Sequence, residues 1–518
     1  MDEYKERFID FLIKTGALQV FEKSSDDRKL KSQRISPWFV NIGDFNDGVS
    51  SNALAGFYAD AVINSGIEVD ILYGIPDKGV GLAAPIAMAM AAKGHNVGWF
   101  FSRKDEKTHG EATNLGPEER IKKLTVGRAP KVEDAIVQLD DVFTAGDAKY
   151  EANAFLKSLG RDNLPLLAIA VDRQEVATDS REAIAEYQEK TGTKVVSVVN
   201  AVDVYNFLKE NSSKLPEIQR DRQAFVEKRE GLKNSVADLA DLDFEIDRLS
   251  NLEIVLNKRS IERLANYVGV YGTKDARAAI GRRLEQKIIG RDRSVIPACD
   301  VETLEQFEEL VKQTANVDGI GGYKVGFELG YGYGVPAVVA VARKHTDKPI
   351  IFDHQKAGTD IPDTGKNYAR VMKKSGVDAV ILFPQAGPET ERAWIYHCLD
   401  NELKVIVGGR MTHPAYAVSE GGFITDEGAL EMYRIAARAG VNNFVVPGNK
   451  PDVIKQVREA VEAEGVSPVF YAPGFIAQGG KIADATKVAG DRFHGIVGRG
   501  IYSVPDMHAA AVEHCSQL

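Results

Sequence analysis

The feature that most constrains the fold is a strand-then-helix rhythm between about residue 293 and residue 518. Short apolar runs alternate there with longer amphipathic segments, and eight such runs are present. They are Val295–Ala298, Gly322–Val325, Pro349–Phe352, Ala379–Phe383, Val405–Val407, Asn443–Val446, Val469–Tyr471 and Gly495–Val497. Eight βα units predict a closed (β/α)8 TIM barrel, whose functional residues follow the carboxyl ends of the strands.

Residues 1 to about 205 alternate in the same manner and predict a mostly parallel α/β sheet with flanking helices. The predicted strands are Val69–Tyr73, Val97–Phe101, Ala135–Leu139, Leu166–Val171 and Lys194–Val199. Between them and the barrel, apolar residues recur every three or four positions, as at Leu232, Val236 and Leu239, which predicts a helical connector. We therefore expect domains at 1–205 and 293–518, joined by a connector at 206–292.

Composition narrows the classes of function. The 518 residues include 65 Lys and Arg against 75 Asp and Glu, a net charge of −10, which argues against a nucleic-acid or anionic-membrane partner. Cys299, Cys398 and Cys515 are too few and too far apart for a disulfide framework or a zinc site. No targeting segment or long apolar run is evident, so we expect a soluble, cytoplasmic protein.

Charged residues cluster where the barrel strands are predicted to end. Asp353, Lys356 and Asp360 follow the third run, Asp300 follows the first, and Lys324 lies in the second. Opposite charges placed together in this way predict a neutralised array at the mouth of the barrel, although a structural ion-pair cluster is the alternative. The loops after the last two strands form the usual phosphate site of such barrels, and they contain Gln478, Gly480 and Arg499.

The first half contains two motifs that suit a phosphorylated sugar. An apolar strand ends in Asp140 and Asp141, and a turn of small residues then enters a helix; backbone N–H groups there can hold phosphate while carboxylates bind ribose hydroxyls. An ordinary strand-to-helix turn is the alternative. A second segment gathers cations that could neutralise a pyrophosphate, or simply form a solvated loop. Its residues are Arg103, Lys104, Lys107 and His109, and Lys78 adds a further cation.

Residues 1 to about 205 resemble orotate phosphoribosyltransferase, which has a type I phosphoribosyltransferase fold. The resemblance rests on the segment from Leu30 to Phe39, the basic loop and the acidic turn. It implies that Lys31 and Phe39 meet pyrophosphate and orotate, and that the basic loop reaches the partner subunit's site. It also implies Mg²⁺ with the donor, 5-phosphoribosyl 1-pyrophosphate (PRPP). Further implied contacts are Lys78, Asp140, Asp141, Thr144, Ala145 and Gly146 for the donor and Arg173 for orotate.

Residues from about 293 to 518 resemble orotidine 5′-monophosphate (OMP) decarboxylase. The resemblance implies a first array lysine at Lys324, a proton-donating Lys356 beside Asp353, and an Asp360 supplied across a dimer. Asp300 and the cross-dimer Thr364 would contact ribose, and Thr412 would read the pyrimidine. Gln478, Gly480 and Arg499 would bind the phosphate. The family uses no metal or organic cofactor for this step.

The sequence departs from both families. Asp147 stands where a small hydroxyl or glycine is usual and would repel a donor phosphate unless it turns away, as a cap or toward Lys149. Gln33 replaces a common glycine. In the barrel, the gaps from Asp353 to Lys356 and from Lys356 to Asp360 are each one residue longer than usual, so aiming Lys356 requires a bulge or an early exit from the strand.

Together the two resemblances imply a bifunctional enzyme of de novo pyrimidine biosynthesis. Its first half would join orotate to PRPP, giving OMP and pyrophosphate, and its second half would decarboxylate OMP to UMP. The expected partners are these small molecules and further copies of the chain, in a homodimer or higher assembly. The alternatives are a chain with one inactive half, a sugar-phosphate decarboxylase barrel, and a PRPP-binding regulator without catalysis.

Overall fold

A computed structural model describes residues 1–30, 32–103, 117–143, 146–213, 256–281, 286–354, 357–475 and 481–518. The chain divides into two compact units. The first comprises Met1–Val268 and Ala278–Ile280, and the second comprises Gly269–Arg277 and Gly281–Leu518. The domain bounds proposed from the sequence stay a prediction, because much of the connector, including Leu232 to Leu249, lies outside the described residues.

The first unit is built on a six-stranded sheet. Its strands are β5 (Ile71–Gly74), β6 (Gly98–Ser102), β7 (Thr125–Gly127), β8 (Ile136–Val142), β9 (Leu166–Asp172) and β10 (Lys194–Asn200). The order is β10-β9-β8-β5-β6-β7, with every pair parallel except β6 with the edge strand β7. The five predicted strands are confirmed, whereas β7 was missed because its three residues form no apolar run.

Shorter elements complete this unit. Two antiparallel pairs precede the sheet: β1 (Leu18–Val20) with β4 (Trp38–Val40), and β2 (Arg28–Lys29) with β3 (Ile35–Ser36). The helices are Glu3–Lys14, Gly48–Asn64, Val80–Ala92, Pro117–Leu124, Asp147–Ser158, Ala183–Thr191 and Ala201–Glu210, with a 3-10 turn at Ile42–Asp44. Apolar side chains of β5, β8 and β9 form the core with the helix Asp147–Ser158.

Two helices, Lys258–Tyr271 and Lys274–Ile280, lie in the region predicted to be a helical connector. On the first of them, Arg263 is fully buried and donates two hydrogen bonds of 2.8 Å to the carboxylate of Asp27. It also donates to the carbonyl oxygen of Phe21. The part of this helix up to Val268 is therefore an integral element of the first unit rather than a spacer.

The second unit is a near-closed barrel of eight parallel strands. They are β11 (Arg293–Pro297), β12 (Tyr323–Val325), β13 (Ile350–Asp353), β14 (Ala379–Leu382), β15 (Lys404–Gly408), β16 (Asn443–Val445), β17 (Val469–Ala472) and β18 (Phe493–Val497). β11 pairs with β18, and single bridges from Val295 to Ile320 and from Ala298 to Lys324 link it to the β12 side. All eight predicted strands are confirmed.

Helices follow the barrel strands in alternation. They are Leu304–Thr314, Phe327–Tyr333, Val335–Arg343, Thr364–Lys374, Pro388–Asp400, Asp426–Arg438, Pro451–Ala463, Ile482–Ala489, Arg499–Tyr502 and Met507–Cys515, with a 3-10 turn at Val418–Glu420. Ile296, Ile351, Ile381, Ile406 and Ile496 contribute to the packed core of the barrel. The polar residues at the strand ends therefore lie next to the packed apolar core of the barrel.

Two further sequence predictions concern the cysteines and membrane-spanning helices. Cys299, Cys398 and Cys515 are all free thiols, and the first two are buried. Within the described ranges, no helix is both long enough and apolar enough to cross a membrane.

Candidate active sites

The barrel brings three of the predicted charges together. Lys324 Nζ lies 3.2 Å from Asp353 Oδ2 and 3.4 Å from Asp300 Oδ1. Lys324 is central on β12, where it pairs with Ile351, and Asp353 is the last residue of β13. Asp300 follows β11, and its side chain is 46% exposed. One ammonium on β12 thus bridges carboxylates from the ends of β11 and β13, the strands on either side of it.

The electrostatics of this array keep Lys324 charged. Burial alone lowers the pKa of this lysine, but Asp353 and Asp300 outweigh it, so that the pKa lies above its usual range. Lys324 and Asp353 are only 4% and 7% exposed. The fixed ammonium can hold a polar ligand, whereas the Asp353 carboxylate would repel an anionic group brought close to it.

β13 ends at Asp353, so the strand stops before it reaches Lys356. Lys356 itself lies outside the described residues, so its aim stays a prediction. Asp360 is exposed, and its Oδ1 accepts a hydrogen bond of 2.7 Å from the Ile361 N–H. Thr364 begins the helix Thr364–Lys374, and its hydroxyl donates to the Ile361 carbonyl. The structure therefore places Asp360 and Thr364 on a segment beyond the buried array.

The remaining barrel residues lie in loops after later strands. Thr412 follows β15 and is partly buried; its carbonyl accepts a hydrogen bond of 3.1 Å from Asn449 Nδ2. Arg499 is exposed and begins the short helix Arg499–Tyr502 directly after β18. Gln478 and Gly480 lie outside the described residues. Of the three residues of the predicted phosphate site, the structure therefore describes Arg499 only.

In the first unit, Arg173 is held on three sides. Its Nε donates to Glu175 Oε1 at 2.7 Å, its Nη2 donates to Ser36 Oγ at 2.9 Å, and its guanidinium stacks 4.1 Å from the centre of the Trp38 ring. The Arg34 guanidinium lies 3.5 Å from Glu175 Oε2 and donates a hydrogen bond of 2.6 Å to the Val176 carbonyl. The guanidinium of Arg173 is thus preorganised against β4, the strand that also carries Phe39.

The two carboxylates of the acidic turn differ in their burial and in their partners. Asp140 is 5% exposed, and Lys149 Nζ lies 2.5 Å from its Oδ2. Burial raises the pKa of Asp140, and the Lys149 ammonium opposes that rise without cancelling it. Asp141 is only partly buried. It borders a cavity of about 160 Å³ together with Lys78 and apolar side chains such as Phe45 and Leu82.

Two glycines shape the turns next to Lys149 and Lys78. Gly146 has φ +89°, and a Cβ there would lie 2.9 Å from the Phe143 ring, so only glycine fits at the start of the helix Asp147–Ser158. A Cβ on Gly79 would lie 2.1 Å from the Leu139 carbonyl oxygen, which explains the tight turn that leaves Lys78 exposed. Thr144 and Ala145 lie outside the described residues.

The departures noted in the sequence have local explanations. Asp147 is exposed in the first turn of its helix, where a carboxylate complements the helix dipole, and Lys149 pairs with Asp140 instead. Gln33 has φ +68°, a left-handed conformation that glycine adopts without steric cost. Arg103 is exposed after β6, and its N–H donates to the Leu124 carbonyl. Lys31, Lys104, Lys107 and His109 lie outside the described residues.

Several residues near the two sites received no individual role there from the sequence, which named Lys149 only as a possible partner of Asp147. They are Arg34, Ser36, Trp38, Lys149 and Glu175 in the first unit and Tyr331 in the second. Tyr331 hydrogen-bonds to His354, directly after Asp353, and their rings meet edge to face at 5.5 Å. Lys149 had one usable signal, because a cation in the first turn of a helix is electrostatically disfavoured.

The two folds and their sites define an α/β enzyme that combines a phosphoribosyltransferase-type sheet with a charge-lined (β/α)8 barrel. Comparison with known proteins narrows this class. An orotate phosphoribosyltransferase of Marinobacter nauticus is 36% identical over 211 residues, which are 41% of this chain and 91% of the relative. That of Pseudomonas fluorescens is 37% identical over 229 residues, 43% of this chain and 99% of the relative. The chain belongs to the orotate phosphoribosyltransferase family.

The second unit matches a different family. Residues 293–513 match the model of the orotidine 5′-phosphate decarboxylase / HUMPS family. A solved orotidine 5′-monophosphate decarboxylase from Methanocaldococcus jannaschii, in complex with the inhibitor BMP, is 26% identical, covers 44% of this chain and 98% of its own, and has a TM-score of 0.39. An orotate phosphoribosyltransferase structure from Francisella tularensis is 30% identical, covers 42% and 98%, and has a TM-score of 0.34. One polypeptide thus combines a region similar to orotate phosphoribosyltransferases with a region that matches the orotidine 5′-phosphate decarboxylase / HUMPS family model.

Proposed function

We propose that this chain catalyses two consecutive steps, the activity pair of a uridine 5′-monophosphate synthase. The first unit transfers phosphoribosyl from PRPP to orotate, giving OMP and pyrophosphate, and the second unit decarboxylates OMP to UMP and carbon dioxide. The observation that carries the proposal is the union of the two families in one chain, because the product of one reaction is the substrate of the other.

In the first reaction, the preorganised guanidinium of Arg173 would bind the orotate carboxylate, with Phe39 against the ring and Lys31 near the pyrophosphate. The bond from ribose C1 to pyrophosphate breaks as the orotate nitrogen attacks C1, and negative charge grows on the leaving group. Cations would stabilise that charge, while the acidic turn holds the ribose 5-phosphate. These cations are Lys78, Arg103, Lys104 and Lys107, with His109 beside them, and the turn comprises Asp140, Asp141, Thr144, Ala145 and Gly146.

The donor set of the first unit fits Mg²⁺ delivered with PRPP. Mg²⁺ prefers one or two carboxylates together with substrate phosphates, and the partly buried Asp141 at the cavity offers such a carboxylate. No cluster of three or more metal-ligating side chains occurs within the described ranges, which favours a metal shared with the donor over an all-protein cage. Bound Mg²⁺ would neutralise charge on the pyrophosphate.

In the second reaction, the barrel array would act on the substrate carboxylate. A carboxylate about 4 Å from Asp353 costs roughly 4 kcal/mol at an effective dielectric of about 20, and that repulsion disappears as carbon dioxide leaves. The bond from C6 to the carboxyl carbon breaks, its electron pair stays on C6, and Lys356 donates a proton there. Lys324 would anchor the array, Asp300 would hold the ribose, Thr412 would read the pyrimidine, and Gln478, Gly480 and Arg499 would bind the phosphate.

We further propose that the active assembly is a homodimer or a higher oligomer in the cytoplasm. Asp360 and Thr364 lie beyond the buried array, which suits residues that complete a partner's site. The acidic composition gives no support for a nucleic-acid or membrane partner.

A second candidate applies to the barrel alone, because the matching family also includes the HUMPS group. A sugar-phosphate decarboxylase using the same Asp and Lys residues would depend on Mg²⁺ for decarboxylation. The proposed OMP reaction would not.

The test is to assay the two steps separately on the purified full chain. Orotate and PRPP with Mg²⁺ should yield OMP and pyrophosphate, and added OMP should release carbon dioxide at the same rate with or without a chelator. Chelator-sensitive decarboxylation would move the barrel to the second candidate. Binding of PRPP without pyrophosphate release would instead indicate a regulator, and failure of only one step would indicate one inactive half.

A further inference from the structure

A buried ion pair lies directly behind the donor turn. Lys149 Nζ is 2.5 Å from Asp140 Oδ2, and the two side chains are 8% and 7% exposed. The resemblance to the family assigns no role to Lys149. The lysine nevertheless contacts one of the two carboxylates that define the motif, and this connects it to donor binding.

The position of Lys149 is electrostatically unfavourable without a partner. It lies in the first turn of the helix Asp147–Ser158, where the positive end of the helix dipole repels a cation. Burial of an unpaired ammonium adds a further cost. The Asp140 carboxylate compensates both, and the ammonium also lies 5.8 Å from the centre of the Phe143 ring.

Asp140 is correspondingly held from several directions. Its Oδ2 binds Lys149, and its Oδ1 accepts a hydrogen bond of 2.9 Å from the Asp141 N–H. Its carbonyl oxygen accepts one of 2.7 Å from the buried Tyr58 hydroxyl. Asp141 differs, since its Oδ1 accepts from the Val142 N–H while the side chain borders the cavity that also exposes Lys78.

We infer that Lys149 is a positioning residue for donor binding, which holds Asp140 toward the helix so that Asp141 is the carboxylate presented to PRPP. The inference rests on the proposed transferase function of the first unit and makes the two acidic residues unequal. Without Lys149, the Asp140 carboxylate loses its counter-charge, and a second negative charge becomes free to face the donor phosphates.

The experiment compares full-length Lys149→Met with the wild type in orotate phosphoribosyl transfer. KM for PRPP should rise about tenfold, the order of one like-charge contact largely screened by water, whereas KM for orotate and kcat at saturating PRPP should stay within about twofold. Lys149→Arg keeps the charge and should recover most of the loss. Lys157→Met, an exposed lysine on the same helix, is the matched control and should behave as the wild type.

An unchanged KM for PRPP in Lys149→Met, a fall in kcat alone, or an arginine variant no better than methionine would each overturn the inference. If Lys149→Met does not fold, the experiment uses the double variant Lys149→Met/Asp140→Asn instead. This variant removes both charges of the pair. That double variant should weaken PRPP binding less than Asp141→Asn does, and the reverse order would overturn the inference. Calorimetric Kd values for PRPP keep this comparison valid if the wild type binds the donor without transferring it, in which case only the proposed function fails.

Discussion

The ammonium of Lys324 lies 3.2 Å from Oδ2 of Asp353, and both side chains are almost completely removed from solvent. Either charge alone would be costly at that depth, but as an ion pair each offsets part of the other's burial cost. Asp300, at 3.4 Å from the same ammonium, is much more exposed and can still approach a ligand. The pair is therefore the fixed part of the site, and Asp300 is its accessible edge.

Replacing Lys324 should separate the two proposed activities. Lys324→Ala leaves Asp353 buried without this partner, so OMP decarboxylation should fall by at least about 100-fold. Orotate phosphoribosyl transfer, which belongs to the other unit, should change by less than about twofold. The measurement is the rate of each step on the intact chain, with Lys344→Ala as an exposed control in the same barrel. Loss of both activities in a folded Lys324→Ala protein would contradict two independent sites.

Glu175 offers a test of the orotate site. Its carboxylate fixes the Nε of Arg173 at 2.7 Å and also contacts Arg34. In Glu175→Gln the charge-assisted bond is lost and the guanidinium is less well oriented, so KM for orotate should rise roughly tenfold while KM for PRPP changes little. Glu189→Gln, an exposed glutamate of the same unit, is the control. An equal rise in both KM values would point to general disruption of the unit.

Arg263 provides a prediction on stability. The side chains of Arg263 and Asp27 are each 1% exposed and form a bidentate pair, so Arg263→Met should lower the stability of the first unit by about 3–5 kcal/mol. Hydrogen exchange of β1 and β4 peptides would report this loss separately from the barrel. Lys258→Met, exposed on the same helix, should change little, and Asp27→Leu/Arg263→Met should recover part of the loss. Normal protection in Arg263→Met would show that the ion pair with Asp27 contributes little to the stability of the unit.

The sequence was sufficient to predict the parallel strands of both large sheets, because each buried parallel strand reads as a short apolar run between helices. Lys324 and Asp353 could also be brought together in advance, since strands β12 and β13 are consecutive and neighbours in the barrel. Consecutive βα units leave few other arrangements. The missed edge strand β7 is three residues long and pairs antiparallel, outside that rule.

Contacts between segments that are far apart in the sequence could not be predicted from local patterns. Arg173 depends on Ser36 and Trp38, more than 130 residues earlier, where no periodicity identifies a partner. Likewise, nothing local indicates that Lys149 would choose Asp140 over the nearer Asp147, because burial decides the pairing and burial is a property of the folded sheet. Side-chain direction at a site is thus set by tertiary packing rather than by spacing along the chain.

Asp172 should make the stability of the first unit depend on pH. Burial raises the pKa of this carboxyl to about 6, against an ordinary value of 3.8, despite the hydrogen bond from the Gln174 N–H. The neutral form is favoured on folding, so the contribution is full below pH 3.8 and is lost as pH rises through 6. Asp172→Asn should therefore stabilise the unit by about 1–3 kcal/mol at pH 8 and by little at pH 4, as measured by denaturant titration. Asp162→Asn, which is exposed, should show no such difference between the two pH values.

His494 should give the barrel the opposite dependence. Burial lowers the pKa of this histidine to about 3, Arg291 adds to the effect, and the ring accepts or donates a hydrogen bond of 2.7 Å with Ser294 Oγ. Because the folded-state pKa is below the ordinary 6.5, the neutral ring stabilises the barrel above pH 6.5, and that stability is lost as pH falls toward 3.

Between pH 7 and pH 4.5 the wild-type barrel should accordingly lose about 2–3 kcal/mol through this residue, whereas His494→Gln should lose much less over the same interval. Hydrogen exchange of β17 and β18 peptides at the two pH values measures the difference in the intact chain. His508→Gln removes an exposed histidine from the same unit and should keep the wild-type slope. A His494→Gln protein with the wild-type slope would mean that other buried groups control the acid sensitivity of the barrel.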